Sequence, residues 1–221
     1  FYGAFEVKTT DTLFSIGSSG RVYSVPVSML PSARGDGVPI TTLVDLEPGA
    51  RIEHVFAAAH DAGVLMATRE GQGLIAQASD LVGRNKAGRQ FITLDEGDAP
   101  IRPTLFHPGQ STVVCLAGMA ERPKLLAFSL DEVKVLRSGG RGSRLIDLGK
   151  GEALLQVLVC GEHGVVLSGT GRGAKPMSRL LNARELNEFR GVRGRKGLVI
   201  EPRWKDCLLT APPAALSPGS R

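Results

Sequence analysis

Two stretches, "DTLFSIGSSGRVYSVPV" from Asp11 and "AGVLMATREGQGLIAQA" from Ala62, each set a short apolar run, a glycine-bearing polar turn and a second apolar run in a row. Two runs of strand length around such a turn predict a β-hairpin. A short turn follows each hairpin ("SMLP", "SDLV", "LDEV", "ARELNEF"), and after it come a polar glycine loop and a third apolar run, "VPITTLVDL" or "FITLDE". A Gly or Pro turn then leads to a fourth run, "RIEHVFAAA", "IRPTLFH" or "ALLQVLVC". The helical material predicted is one turn or so around "ARELNEF".

The pattern returns at a fixed period. Gly20 and Gly71, Leu30 and Leu81, and Gly37 and Gly88 are each 51 residues apart, and Gly142 and Gly194 continue the series. Four repeats of about fifty residues are therefore expected over roughly 11–60, 61–110, 111–162 and 163–210. Four short strands per repeat suit an all-β array of propeller-like blades, each burying its faces on its neighbours. The opening "FYGAFEV", within residues 1–10, takes the place of a fourth strand and is expected to be the remnant of an earlier blade. The chain begins with Phe1 rather than Met, so it is expected to be a piece of a longer one. Residues 211–221, "APPAALSPGSR", lack the apolar content to pack and are predicted to be a disordered tail.

The net charge of +5 is modest, but its distribution is not even. The loops at 84–89, 137–144 and 190–196 hold 10 of the 27 Lys and Arg residues and no Asp or Glu. These are Arg84, Lys86 and Arg89; Arg137, Arg141 and Arg144; and Arg190, Arg193, Arg195 and Lys196. In the first repeat Arg34 sits beside Asp36 and should contribute least. Duplex DNA presents closely spaced phosphates, and cations that neutralise them release condensed counterions, so equivalent basic loops point to double-stranded DNA. Glycines in these loops are expected to let the chain turn and bring N–H groups near phosphate oxygens. The acidic segments "DLEPG" (Asp45, Glu47) and "DEGDAP" (Asp95, Glu96, Asp98) are expected at the opposite end of each blade from the basic loops. Aromatics make up 5% and none lies in a basic loop, which argues against base stacking on single strands. Arg21 and Lys175 are weaker candidates, each an isolated cation on a hairpin.

Other chemistry finds little purchase. Cys115, Cys160 and Cys207 lie in or beside apolar runs and read as buried thiols of a reducing compartment; Cys160 with His163 lacks the partners a zinc site needs. "GTGRGAK" from Gly169 resembles a phosphate cradle, but Pro176 stands where the Ser or Thr of that motif belongs. No nucleophile elbow, telling pair of acids or Cys–His couple is present, so neither catalytic nor metal-ligating residues are expected. No apolar run approaches the roughly 20 residues of a membrane span.

WD40 and kelch signatures are missing, since the single tryptophan lies in "RWKD" and the only double glycine is Gly139–Gly140. At "YSVPVSMLPSARGDGVPITTLVDLEPGARIEHV", "FSIGSSGRVYSV", "SDLVGRNKAGRQFITL" and "RGVRGRKGLV" the chain closely resembles the C-terminal-domain family of the A subunits of bacterial topoisomerase IV and gyrase. The resemblance implies a β-pinwheel, a disc of four-stranded blades that share strands, binding duplex DNA around its rim and bending it. It further implies a domain that presents DNA to a type IIA cleavage core for decatenation and supercoil relaxation. The rest of the A subunit, together with the B subunit, would be its partners, with ATP and Mg²⁺ used elsewhere in the enzyme, in the cytoplasm on the chromosome. The family's cleaving tyrosine lies in another domain; Tyr2 and Tyr23 have strand-like settings without its Arg-Tyr context. The fragment itself is expected to be a monomer. Gyrase-type domains carry a "QRRGGKG"-like box for wrapping of fixed sign, whereas the loop "SARGDGVPI" has one Arg and an Asp, and "RSGGRGSR" shares letters but not order. Two other readings stay open: a gyrase A wrapping domain, and a propeller-type module binding an acidic protein surface.

Overall fold

The structure, a computed structural model, describes residues 3–32, 35, 37–201 and 204–213. In chain order its strands are β1 (Thr12–Gly17), β2 (Arg21–Pro26), β3 (Ile52–Ala58), β4 (Gly63–Ala67), β5 (Gln72–Gln77), β6 (Arg89–Gln90), β7 (Thr104–Phe106), β8 (Thr112–Met119), β9 (Arg122–Ser129), β10 (Ser143–Arg144), β11 (Ala153–Cys160), β12 (Val165–Thr170), β13 (Pro176–Leu181), β14 (Leu198–Val199) and β15 (Lys205–Thr210). The predicted hairpins are β1–β2, β4–β5, β8–β9 and β12–β13, all antiparallel. Among the described residues the fold is all-β apart from 3-10 turns and one short helix, α1 (Ala183–Leu186). That helix falls where the sequence predicted it: Asn182 Oδ1 accepts from the N–H groups of Arg184 and Glu185, and the Glu185 carboxylate accepts from Asn182 N–H, a reciprocal cap.

Strand sharing follows from the sheet order. The fourth run of each repeat returns to the first strand of its own hairpin, giving β3-β1-β2 and the start of its counterparts. The outer edge of the hairpin's second strand is thereby left open, with N–H and C=O groups that need partners. The next repeat supplies them: β6 pairs with β2, β10 with β5 and β14 with β9. The sheets are thus β3-β1-β2-β6, β10-β5-β4-β7, β11-β8-β9-β14 and, with three strands among the described residues, β13-β12-β15. This is the strand exchange of a β-pinwheel.

Three sequence expectations need correcting. "FITLDE" is not a third strand of its own repeat: the strand is Arg89–Gln90 just ahead of it, and it belongs to the preceding sheet. "VPITTLVDL" holds a 3-10 turn, Ile40–Thr42, in place of a strand. The described part of the opening segment, from Gly3 to Lys8, forms no strand.

Two compact units divide the chain. One comprises Phe1–Pro108 with Asp131–Leu145; the other comprises Gly109–Leu130 with Ile146–Arg221. Donation explains why residues 131–145 leave the second unit, because they carry β10 into the sheet of β5. In the first unit Phe14 stacks on Phe56 at 5.1 Å, and Ile16, Val22, Val64, Met66 and Leu74 pack with Phe91 and Ile92 from just past the donated strand. The second unit buries Val114, Leu116, Leu125, Val165, Leu167 and Trp204 together. Register fixes a recurring buried pair across each of the first three hairpins: Ser15 opposite Tyr23, Met66 opposite Leu74 and Cys115 opposite Leu126. The corresponding pair of the last hairpin is Leu167 and Arg179, and Arg179 is exposed. Among the described residues no helix is long and apolar enough to cross a membrane.

Candidate nucleic-acid interface

Each basic loop is the connection that carries a donated strand to the preceding sheet, so its backbone is tied down at several points. In the second repeat Gly83 N–H donates to Ser24 Oγ (2.9 Å), Gly88 N–H to the Asn85 carbonyl and Asp45 N–H to the Lys86 carbonyl (2.9 Å). In the third, Leu136 N–H donates to the Ile75 carbonyl (2.8 Å), Gly140 N–H to the Phe91 carbonyl (2.8 Å) and Thr93 N–H to the Gly140 carbonyl (3.0 Å). In the fourth, Gly191 N–H donates to the Ala127 carbonyl (2.8 Å) and Asp147 N–H to the Arg195 carbonyl (3.1 Å).

The glycines serve this docking. Gly88 (φ +62°) and Gly142 (φ +78°) precede β6 and β10, and a Cβ on either would lie 2.4 Å from the Val22 carbonyl oxygen or 2.2 Å from that of Gly73. No side chain fits at that separation, and the left-handed backbone favours glycine as well. The structural counterpart in the fourth repeat is Gly197, which precedes β14 and faces the Leu125 carbonyl, rather than Gly194 as the spacing predicted. The N–H groups of Gly88, Gly139, Gly140 and Gly191 are taken by protein carbonyls. The phosphate-facing role expected of Gly88 and Gly191 is therefore replaced by strand docking.

The side chains divide by environment. Arg84, Arg137, Arg190, Arg195 and Lys196 are exposed and form no ion pair among the described residues. Lys86 is exposed too, with its ammonium 3.3 Å from the Thr42 carbonyl. Arg89 is a buttress: its guanidinium donates to the carbonyls of Asp80 (2.7 Å) and Ser138 (3.4 Å) and lies 5.1 Å over the Phe91 ring. Through Ser138 it links the second and third loops, which both belong to the first compact unit. Arg141 forms an ion pair with Asp95. Arg144 lies in β10 with its side chain exposed, and Arg193 is half-buried in the fourth loop, which belongs to the second unit. Arg34 lies outside the described residues. Of the weaker candidates, Arg21 pairs with Glu47 at 3.0 Å and donates to the carbonyls of Ala87 and Gly88, while Lys175 is exposed.

The expected segregation of charge does not hold. The acidic segment of one repeat lies beside the basic loop of the next, Asp45 against Lys86, Asp95 against Arg141 and Asp147 against Arg195. Strand donation accounts for the last two, since the segments after β6 and β10 run along the following loop. The sequence holds a signal for it: "TTLVD", "FITLD" and "RLID" each end an apolar run on an Asp, at 45, 95 and 147.

Titration offers no rival chemistry. Burial pushes the Cys160 and Cys207 thiols up to about 11 and Cys115 higher still, so all three stay protonated at neutral pH. A hydrogen bond from Ser19 is the main cause holding the Glu47 carboxyl below its usual range, and Lys124 does the same for Glu152. Among the described residues no group of three or more His, Cys, Asp or Glu side chains could hold a metal ion.

Known proteins share this architecture. The model of the "DNA gyrase C-terminal domain, beta-propeller" family matches residues 11–59, 64–99 and 127–161, more than half of the chain. The A subunit of DNA topoisomerase 4 from Salmonella typhimurium is 31% identical over 206 residues, 90% of this chain and 26% of that protein. The chain thus spans about a quarter of the length of the curated relatives it matches. The E. coli ParC C-terminal domain superposes with a TM-score of 0.77 at 28% identity, covering 93% of this chain and 84% of that one. A DNA gyrase A C-terminal domain shares the fold at a TM-score of 0.67 and 20% identity, covering 93% of this chain and 67% of that one. Tandem hairpins, three of whose sheets are closed by a strand from the next repeat and which the family model matches over most of the first two repeats, make this chain a member of the DNA gyrase C-terminal β-propeller family.

Proposed function

We propose that the chain is the DNA-binding and DNA-bending domain of a topoisomerase IV A subunit, presenting duplex segments to the cleavage core for decatenation and supercoil relaxation. The observation that carries this reading is the recurrence, on equivalent loops, of exposed cations without an ion pair among the described residues: Arg84 in the second repeat, Arg137 in the third, Arg190, Arg195 and Lys196 in the fourth. Phosphates neutralised on successive loops favour a curved duplex, whose bending energy is offset by the added contacts. With no aromatic ring in these loops, binding is to the backbone and independent of sequence. ATP and Mg²⁺ act in other parts of the enzyme, where the rest of the A subunit, together with the B subunit, forms the partner surface. The setting is the cytoplasm on the bacterial chromosome. A wrap of fixed sign is not part of the proposal, because the first loop sets a single Arg beside an Asp.

The test is fluorescence anisotropy of this chain on short and long labelled duplexes at low and moderate salt. Binding that strengthens with duplex length and weakens with salt is expected. Arg84→Glu with Lys86→Glu should weaken binding on every sequence and make the log–log salt slope shallower by about 2, one unit per lost phosphate. No binding at low salt would overturn the reading and favour an acidic protein surface as the partner.

A further inference from the structure

We propose that Asp95 is a built-in competitor for the phosphate that Arg141 would bind, so that the third loop engages DNA more weakly than its cation content implies. This rests on the reading of the basic loops as a duplex-binding surface.

Two backbone bonds fix the arrangement. Gly140 N–H donates to the Phe91 carbonyl and Thr93 N–H donates to the Gly140 carbonyl, which lays the segment carrying Asp95 alongside the residue before Arg141. The Arg141 guanidinium then meets the Asp95 carboxylate, with 58% of the arginine side chain and 37% of the aspartate side chain exposed. An incoming phosphate can therefore reach the same guanidinium. A guanidinium that keeps its carboxylate brings no net charge to a phosphate, and one that lets go must first lose a charge-assisted hydrogen bond.

The neighbouring loop supplies an internal contrast. Asp45 N–H donates to the Lys86 carbonyl in a similar backbone juxtaposition, yet the Lys86 ammonium turns to the Thr42 carbonyl, a neutral partner. Lys86 therefore keeps its full charge for a phosphate while Arg141 does not. The pair is exposed, so it belongs to the weak class that a phosphate can displace.

The experiment measures affinity and salt slope on a long duplex for the whole chain and for Asp95→Asn, Arg141→Gln, the double variant and Glu96→Gln. Glu96 is the adjacent exposed acid and forms no ion pair among the described residues, so Glu96→Gln reports the effect of removing one negative charge without releasing Arg141. Asp95→Asn is expected to bind about threefold tighter at low salt, the scale of an exposed pair, with a slope steeper by about one phosphate. Glu96→Gln should stay near the parent, and the double variant should bind no tighter than Arg141→Gln. Equal gains from Asp95→Asn and Glu96→Gln would overturn the proposal in favour of a diffuse charge effect. Unchanged or weaker binding by Asp95→Asn, repeated with Asp95→Ala and with melting temperatures matched, would also overturn it and leave the DNA-binding reading standing. A parent chain that binds no duplex at low salt would remove that reading itself.

Discussion

Leu126 and Arg179 occupy the same point of two hairpins in the second compact unit, opposite Cys115 and Leu167 respectively. Leu126 is buried, and β9, which carries it, is closed by β14. Arg179 is exposed and pairs with Glu185 at 3.2 Å, and no strand closes β13 among the described residues. The hydrophobic pattern of a repeat thus records what covers it as well as its own secondary structure. A hairpin whose second strand receives a donated strand needs an apolar residue at this point; one without it accepts a charge.

The most damaging way to probe the difference is at the donated strand. Gly142→Ala places a Cβ 2.2 Å from the Gly73 carbonyl at positive φ, and a loss of about 3 kcal/mol is expected in urea unfolding. A change below about 0.5 kcal/mol would mean that donation is dispensable to its sheet. Leu126→Ala empties a filled core position and should cost about 2–5 kcal/mol by the same measurement. Its counterpart, Arg179→Gln, removes an exposed ion pair and should change stability by no more than about 1 kcal/mol. Comparable losses at Leu126 and Arg179 would erase the contrast. The smallest effect concerns Glu185, whose carboxyl is held below its usual range chiefly by the Asn182 N–H and secondarily by Arg179. A lowered carboxylate contributes stability above its unfolded pKa and loses it as pH falls through the lower folded value. In an NMR titration Arg179→Gln should therefore raise the Glu185 pKa yet leave it lowered, because the helix cap remains.

Much of this was legible along the chain. The four hairpins came from short apolar runs around polar turns, which need no distant partner, and the helical turn came from the single stretch "ARELNEF". The donated strands were not, because two residues such as Arg89 and Gln90 are too few to show a period and their partners belong to the repeat before. The site divided in the same way. The basic loops stood out by composition, but nothing local separates Arg89 under its carbonyls from Arg84 in solvent. The Arg141–Asp95 pair joins residues 46 positions apart, and only the crossing of one repeat over its neighbour brings them together.

Strand donation also has a consequence in time. The first sheet has its third strand once Ala58 is made, but β2 gains its outer neighbour only with Arg89 and Gln90. At about 5–20 residues per second, those 32 residues take a ribosome about 2–6 s. For that interval the first blade carries a bare strand edge, and the second and third are likewise completed only by their successors, so synthesis of these repeats runs with an unfinished sheet at the growing end.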